Sequence, residues 1–156
     1  MQTLIVYYSR TGYTKKVAEA LSKEIGCDTE ELVDTANRSG PIGWLNSGRQ
    51  GSMRQLTKLQ PIKKDPAQYD LVIIGTPVWS FNMSSPVRTY IKENSAGFKG
   101  VALFCTLGGK GQDSTLKEMG ELSGKAPKST LVVFTDEVKK DAFTDKVKKF
   151  AEELKA

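Results

Sequence analysis

Histidine is absent from all 156 residues. That removes every mechanism built on a Ser-His or Cys-His pair, and nearly every common zinc site. Cysteine is almost as scarce. Cys27 and Cys105 stand far apart with no C-x-x-C pattern, so neither a disulfide framework nor a zinc site is supported, and both read as buried free thiols. No run of eighteen apolar residues occurs, which argues against a membrane span. The first hydrophobic run is too short, and too poor in leading basic residues, for a signal peptide. A cytoplasmic protein without membrane insertion is the expectation. Repeats, linkers and low-complexity runs are also missing, so residues 1–156 read as a single domain, long enough to bury a full core.

What is present in excess is positive charge. Twenty-three Lys and Arg oppose eighteen Asp and Glu, a formal net charge of +5, and such a balance raises a nucleic-acid hypothesis. The lysines are scattered, however, and mixed with acids, as from Lys146 to Lys155. This is the pattern of solvated helix faces, and no nucleic-acid partner is expected.

The stretch around which the chain is organised is Leu4 to Thr14. Leu4-Ile5-Val6-Tyr7-Tyr8 is a strand pattern buried on both faces. Ser9-Arg10-Thr11-Gly12-Tyr13-Thr14 then brings three hydroxyls, one arginine and one glycine, and Val17, Leu21 and Ile25 follow at helical spacing. Strand, hydroxyl-rich turn and amphipathic helix make a phosphate site, because free N–H groups at a helix start carry the positive end of its dipole. A P-loop would need a second glycine followed by Lys and Ser or Thr. A dinucleotide fingerprint would need three glycines. One glycine among many hydroxyls suits a terminal monophosphate, and an ordinary turn whose hydroxyls cap the helix stands as the alternative.

Further along, Thr29 to Asp34 is a short polar strand suited to a sheet edge. Residues 37–60 open with a loop signal, Asn37-Arg38-Ser39-Gly40-Pro41, and continue as a helix interrupted by Gly48 and Gly51. Trp44 with Arg49, Arg54 and Lys58 could serve an RNA; a helix packed on a sheet is the simpler reading. Tyr69 to Gly75 is a buried strand, followed by a loop over 76–83 and a helix capped by Ser84 or Ser85, with Pro86 in its first turn. Val101 to Cys105 is another apolar strand, and Thr106 to Gly111 a glycine-rich turn. A helix around Thr115 to Ser123, a strand over Thr130 to Phe134, and a last helix carrying Phe143, Val147, Phe150, Ala151 and Leu154 on one face complete the chain.

Five β-α units in succession imply an α/β fold, a doubly wound parallel sheet with helices on both faces. Ligands of such sheets sit beyond the strand C-termini. Three loops with unusual chemistry leave those ends, 9–14, 76–83 and 106–111, and they point to one site.

With these residues in place the chain resembles the flavodoxins over essentially its whole length. Ser9 to Thr14 is similar to the family's T/S-x-T-G-x-T phosphate loop. Gly75-Thr76-Pro77-Val78-Trp79 resembles the loop covering one face of the flavin, and Thr106-Leu107-Gly108-Gly109 its third flavin loop. The resemblance implies five strands in the order 2-1-3-4-5 and non-covalent flavin mononucleotide (FMN). It implies that Ser9, Arg10, Thr11, Gly12, Tyr13 and Thr14 wrap the phosphate. Thr76, Pro77, Val78, Trp79, Ser80, Phe81 and Asn82 would flank the isoalloxazine, with Trp79 stacking on it; a core position is the competing reading for that tryptophan. Thr106, Leu107, Gly108 and Gly109 would meet the pyrimidine edge.

By the same resemblance the protein is expected to be a monomeric, low-potential electron carrier, passing single electrons between redox partner proteins by cycling between semiquinone and hydroquinone. No side chain need act as acid or base, which agrees with the missing histidines. The alternative is a flavodoxin-like NAD(P)H:quinone or other FMN-dependent oxidoreductase. A domain that keeps the fold without the flavin is disfavoured by three intact loops. Two departures from the family pattern stand out. Well-known flavodoxins are strongly acidic whereas this chain is basic, which favours partners with acidic docking surfaces. The insertion that splits the fifth strand of long-chain members is missing, so this is a short-chain-like member.

Overall fold

All five residues of the first strand, β1 (Thr3–Tyr7), are buried, and the pleat sends alternate side chains to opposite faces. Leu4 and Val6 join Val72, Ile74 and Leu103 in one core. Ile5 and Tyr7 join Ile73, Ala102 and Phe104 in the other. Two cores on one sheet require helices on both sides.

A computed structural model describes residues 1–156. After β1 come α1 (Tyr13–Ile25), β2 (Asp28–Glu31), α2 (Gly40–Ser52), β3 (Leu71–Trp79), β4 (Asn82–Met83) and α3 (Ser85–Asn94). Then follow β5 (Val101–Leu107), α4 (Gln112–Ser123), β6 (Thr130–Phe134), α5 (Thr135–Lys139) and α6 (Thr144–Lys155). The strands lie in the order β2-β1-β3-β5-β6, all parallel, with β4 antiparallel to the end of β3. Setting β4 aside, this is the expected five-stranded 2-1-3-4-5 order. Helices α1 and α6 cover one face through Val17, Leu21, Val147 and Phe150. Helices α3 and α4 cover the other through Val87, Ile91, Leu116 and Met119.

The helix ends follow local chemistry. Gly26 closes α1 at φ 73°, a left-handed position that costs glycine least. Ser84, rather than Ser85, caps α3, its Oγ accepting from the Val87 N–H. Phe143 is buried just ahead of α6 rather than on it. Both cysteines are free. Cys105 is buried as expected, whereas Cys27 is only half-buried; burial pushes the Cys105 thiol up to about 12 and the Cys27 thiol up to about 11, so both stay protonated at neutral pH. No helix is long and apolar enough to cross a membrane.

Glycine has a packing role where β3 meets β5. Gly75 lies opposite Phe104, and a Cβ there would come within 2.0 Å of the Phe104 ring. Because that ring is fully buried, it has nowhere to retreat. Gly75→Ala is therefore expected to destabilise the fold by about 1–3 kcal/mol, measured by urea unfolding, with recovery when Phe104→Leu is added. An additive double variant would sink the steric account.

Two segments depart from the sequence reading. The strand expected to stop at Gly75 continues to Trp79 and turns back through Ser80 and Phe81, at φ 49° and 66°. Two successive left-handed residues make a two-residue hairpin, which normally carries Asn or Gly. Here neighbours impose it. The Phe81 carbonyl accepts from Ser114 Oγ at 2.8 Å and Thr115 Oγ1 at 3.2 Å, while Ser80 Oγ donates to the Gly48 carbonyl at 2.8 Å.

The second departure is α2, an unbroken helix despite its glycines. Its buried face is Gly43, Ser47 and Gly51, while Ile42, Trp44 and Leu45 are exposed. A Cβ on Gly51 would lie 2.4 Å from the Trp79 carbonyl oxygen, and one on Gly43 would lie 2.2 Å from the Arg38 carbonyl carbon. Those glycines let the helix backbone rest directly on the hairpin and on the 38 loop. Smaller corrections are the earlier start of α4, the shorter β2 and the additional helix α5.

Candidate functional site

Every loop that the doubly wound pattern aims at one edge does reach it, and α2 joins them. Together they enclose a cleft of about 510 Å³. Its floor and one side come from the first loop. Gly12, at φ 100°, caps α1 with a backbone turn that a side chain would strain. Ser9 Oγ accepts from the Gly12 and Lys15 N–H groups, each at 3.1 Å, which fixes the turn. The Tyr13 and Thr14 N–H groups open the helix and donate to no protein acceptor. They point the positive end of the dipole outward.

Thr14 is buried, and its Oγ1 lies 2.7 Å from Thr106 Oγ1. This bond ties the first loop to the end of β5. Arg10 donates from Nη1 to the Arg38 carbonyl at 3.1 Å, which holds its guanidinium at the rim. Pro77, Val78, Trp79 and Ser80 line the cleft from the β3 extension. Thr106, Leu107 and Gly108 line it from β5, beside Thr135 at the start of α5. No Asp or Glu reaches the lining, whereas Arg10 and Arg49 do. On the first loop, free N–H groups, hydroxyls and the Arg10 guanidinium, with no carboxylate beside them, form a donor set for an anion. No group of three His, Cys, Asp or Glu is placed to hold a metal ion.

Not every residue singled out from the sequence arrives. Thr76 is fully buried beneath the site, its Oγ1 donating to the Pro77 carbonyl and within 3.1 Å of Ser84 Oγ. Phe81 sits on the hairpin tip, 59% exposed and outside the lining. Asn82 spends its amide on the Gly51 and Ser80 carbonyls. Gly12 and Gly109 belong to the loops without lining the cleft. The cause in the middle loop is the hairpin: it consumes the backbone that a free loop would have laid along the ligand.

Trp79 has a mixed position. It lines the cleft but is only 7% exposed. Tyr8 meets it edge-on at 5.6 Å, and the Arg38 guanidinium lies 4.8 Å from its ring centre. Burial pushes the Tyr8 hydroxyl up to about 12, with Asp34 adding and Arg38 and Arg10 opposing, so the phenol is neutral. Arg38 is itself buried, paired with Asp34 and bonded to Gln50 Oε1 and, at 3.4 Å, to Ser47 Oγ. Of its members only Arg38 falls in the 37–41 loop signal of the sequence; Asp34 ends the expected second strand, and Ser47 and Gln50 lie in the expected helix.

The residues that the sequence reading missed lie on α2. Trp44, Leu45, Gly48, Arg49 and Ser52 form the remaining wall of the cleft. Their i, i+4 spacing was visible, but spacing does not say which stripe of a helix is buried. Here the small stripe is buried and the large one faces the cleft.

A family model described as Flavodoxin matches residues 2–150. No curated protein matches significantly. Among solved structures, a flavoprotein in complex with FMN from Lactobacillus acidophilus NCFM is 27% identical with a TM-score of 0.70, over 89% of this chain and 97% of that one. A flavoprotein of Bacteroides uniformis is 21% identical with a TM-score of 0.78, over 97% of each chain. Oxidised Flavodoxin 1 from Bacillus cereus is 16% identical with a TM-score of 0.56, over 98% of this chain and 96% of that one.

Proposed function

Because this chain belongs to the flavodoxin family, matched over residues 2–150, we propose that it holds one FMN in the cleft and carries single electrons between redox partner proteins. The observation that supports this best is the donor set of the first loop. Unpaired N–H groups at the start of α1 stand beside the hydroxyls of Thr11 and Thr14, in a cleft with no carboxylate. A terminal phosphate satisfies such donors with charge-assisted hydrogen bonds.

In this reading Ser9 to Thr14 hold the phosphate, Pro77 to Ser80 flank the ring and Thr106 to Gly108 meet its polar edge. FMN supplies the redox chemistry when bound; the protein supplies orientation, charge and exclusion of water. The Thr14–Thr106 bond keeps the phosphate loop and the ring-edge loop in fixed register, so the cofactor is gripped at both ends by one frame. The neutral Tyr8 and the buried Trp79 close the side toward the core. Reductive titration tests the carrier role: dithionite should reduce the flavin in resolved one-electron stages, and neither NADH nor NADPH should be turned over. Rapid turnover of either would move the assignment to an enzyme.

The rim also sets the potential. Lys110 is exposed on the third loop, and Arg10 lines the cleft. A unit positive charge ~10 Å from the ring stabilises added negative charge by roughly 0.4–1.7 kcal/mol for an effective dielectric of about 80 to 20. For one electron that is about 20–70 mV. Lys110→Glu, a change of two unit charges, is expected to lower the potential of the more negative couple by up to about twice that amount, more at low salt than at high. Arg10→Gln, which can keep the bond to the Arg38 carbonyl, should act in the same direction. A couple insensitive to both variants and to salt would leave backbone hydrogen bonds in control. The same positive rim favours partners with acidic docking surfaces.

A second reading, an FMN-dependent oxidoreductase acting on a small molecule, draws support from the α2 wall. That wall adds an exposed indole, a leucine and a guanidinium to a cleft whose three loops already supply what a flavin needs.

A further inference from the structure

Four of the five arginines are engaged within the protein. Arg38 pairs with Asp34, Arg54 and Arg88 share Glu118, and Arg10 donates to the Arg38 carbonyl. Arg49 makes no ion pair and no side-chain hydrogen bond, yet it lines the cleft, where no carboxylate can neutralise it. One turn before it on the same wall is Leu45, 61% exposed, beside Trp44, 62% exposed. Gly48 places no side chain on the strip between Trp44 and Ser52. The arrangement is an apolar plate, a bare gap and a free guanidinium.

The wall is built in advance of any ligand. Ser80 Oγ grips the Gly48 carbonyl and Asn82 Nδ2 the Gly51 carbonyl at 3.0 Å. Arg38 holds Gln50 from behind. The large side chains of α2 are therefore exposed because small ones are needed underneath, and three of them, Trp44, Leu45 and Arg49, line the cleft, whereas Ile42 does not. An indole stacks a planar ring, and the arginine fork matches a carboxylate in two parallel hydrogen bonds.

We propose that this wall is a subsite for a second ligand, a planar aromatic anion such as an aromatic carboxylate, which lies over bound FMN with its ring on Trp44 and Leu45 and its anionic group on Arg49. The proposal rests on the FMN reading of the same cleft and deepens its small-molecule alternative.

Calorimetric titration of the FMN-saturated protein with 2-naphthoate and its neutral counterpart 2-naphthamide tests it. Saturable one-to-one binding of 2-naphthoate is expected with FMN retained, and the amide should bind at least tenfold more weakly. Arg49→Gln should bring the carboxylate down to the level of the amide, and Arg49→Lys should restore part of the difference. Trp44→Ala should weaken both probes by a similar factor. FMN and riboflavin affinities of Arg49→Gln should each stay within about twofold of the parent. Absence of saturable 2-naphthoate binding would overturn the subsite. Loss of FMN but not riboflavin affinity in Arg49→Gln would place Arg49 at the phosphate and overturn it too, as would expulsion of FMN by the probe. Failure to take up FMN at all would defeat the cofactor assignment. Because the second ligand is placed over FMN, that outcome would overturn the subsite as well, and the missing flavin distinguishes it from a failure of Arg49 or Trp44 alone.

Discussion

A chain carrying both Thr11→Ala and Thr14→Ala is expected to bind FMN far more weakly than the parent, while riboflavin, which lacks the phosphate, changes little. Each hydroxyl that donates to a dianionic phosphate contributes ~1.5–3 kcal/mol, so the pair accounts for a loss of roughly two to four decades in affinity. The hydrogen-bond directions make the expectation sharper. Thr14 Oγ1 and Thr106 Oγ1 share one short contact, and a hydroxyl has only one proton to give. For Thr14 to donate to the phosphate, Thr106 must donate to Thr14. Thr106→Val should therefore weaken FMN through Thr14 without touching the phosphate itself, and by less than Thr14→Ala. Equal losses for FMN and riboflavin in the double variant would remove the phosphate from this loop.

Arg38→Met is expected to cost the fold about 3–5 kcal/mol. Arg38 and Asp34 are each 3% exposed at the side chain, and removing one partner strands the other charge in a low dielectric. Thr57 Oγ1, donating at 2.7 Å, and the Ala36 N–H, donating at 3.0 Å, stay on the Asp34 carboxylate, so it keeps neutral donors but no counter-charge. Loss of the guanidinium over Trp79 adds roughly 0.5–2 kcal/mol. Against a total stability of about 5–15 kcal/mol, this places the variant near the margin of folding at room temperature. Urea unfolding measures the loss, and Asp34→Asn added to Arg38→Met should recover a substantial part. A single variant within about 1 kcal/mol of the parent would show that the pair carries little.

What could be read from the sequence follows from what each element buries. Strands β1, β3 and β5 are apolar runs covered on both faces, so composition alone located them, and the βα alternation fixed which edge their loops share. The loops at 9–14 and 106–108 reach the cleft because each leaves a strand and starts a new element at that edge. The middle loop misled because Ser80 and Phe81 take left-handed conformations without Gly or Asn, held there by Ser114, Thr115 and Gly48. Local residue choice carries no trace of partners more than thirty positions away. Arg38 stood four residues after Asp34, a spacing that pairs charges on a helix, but in a segment whose other signals were those of a loop. Helix α2 was found, yet its orientation was hidden, since hydrophobicity normally marks the inner face and here marks the outer one.

The inverted polarity of α2 also bears on how the chain acquires its shape. Gly40, Gly43, Gly48 and Gly51 all lie within thirteen residues, and each glycine in a helix interior forfeits ~1 kcal/mol relative to alanine. A segment so composed has no helical tendency to offer in an unfolded chain. Nor can it be recruited by hydrophobic collapse, because its inward stripe has almost no apolar surface to contribute. Its conformation is dictated by a template: a hairpin backbone that exists only after β3 has paired with its neighbours and turned back. The fourth wall of the cleft is thus a late addition to an otherwise self-sufficient sheet, and the side chains it displays can change without disturbing either core.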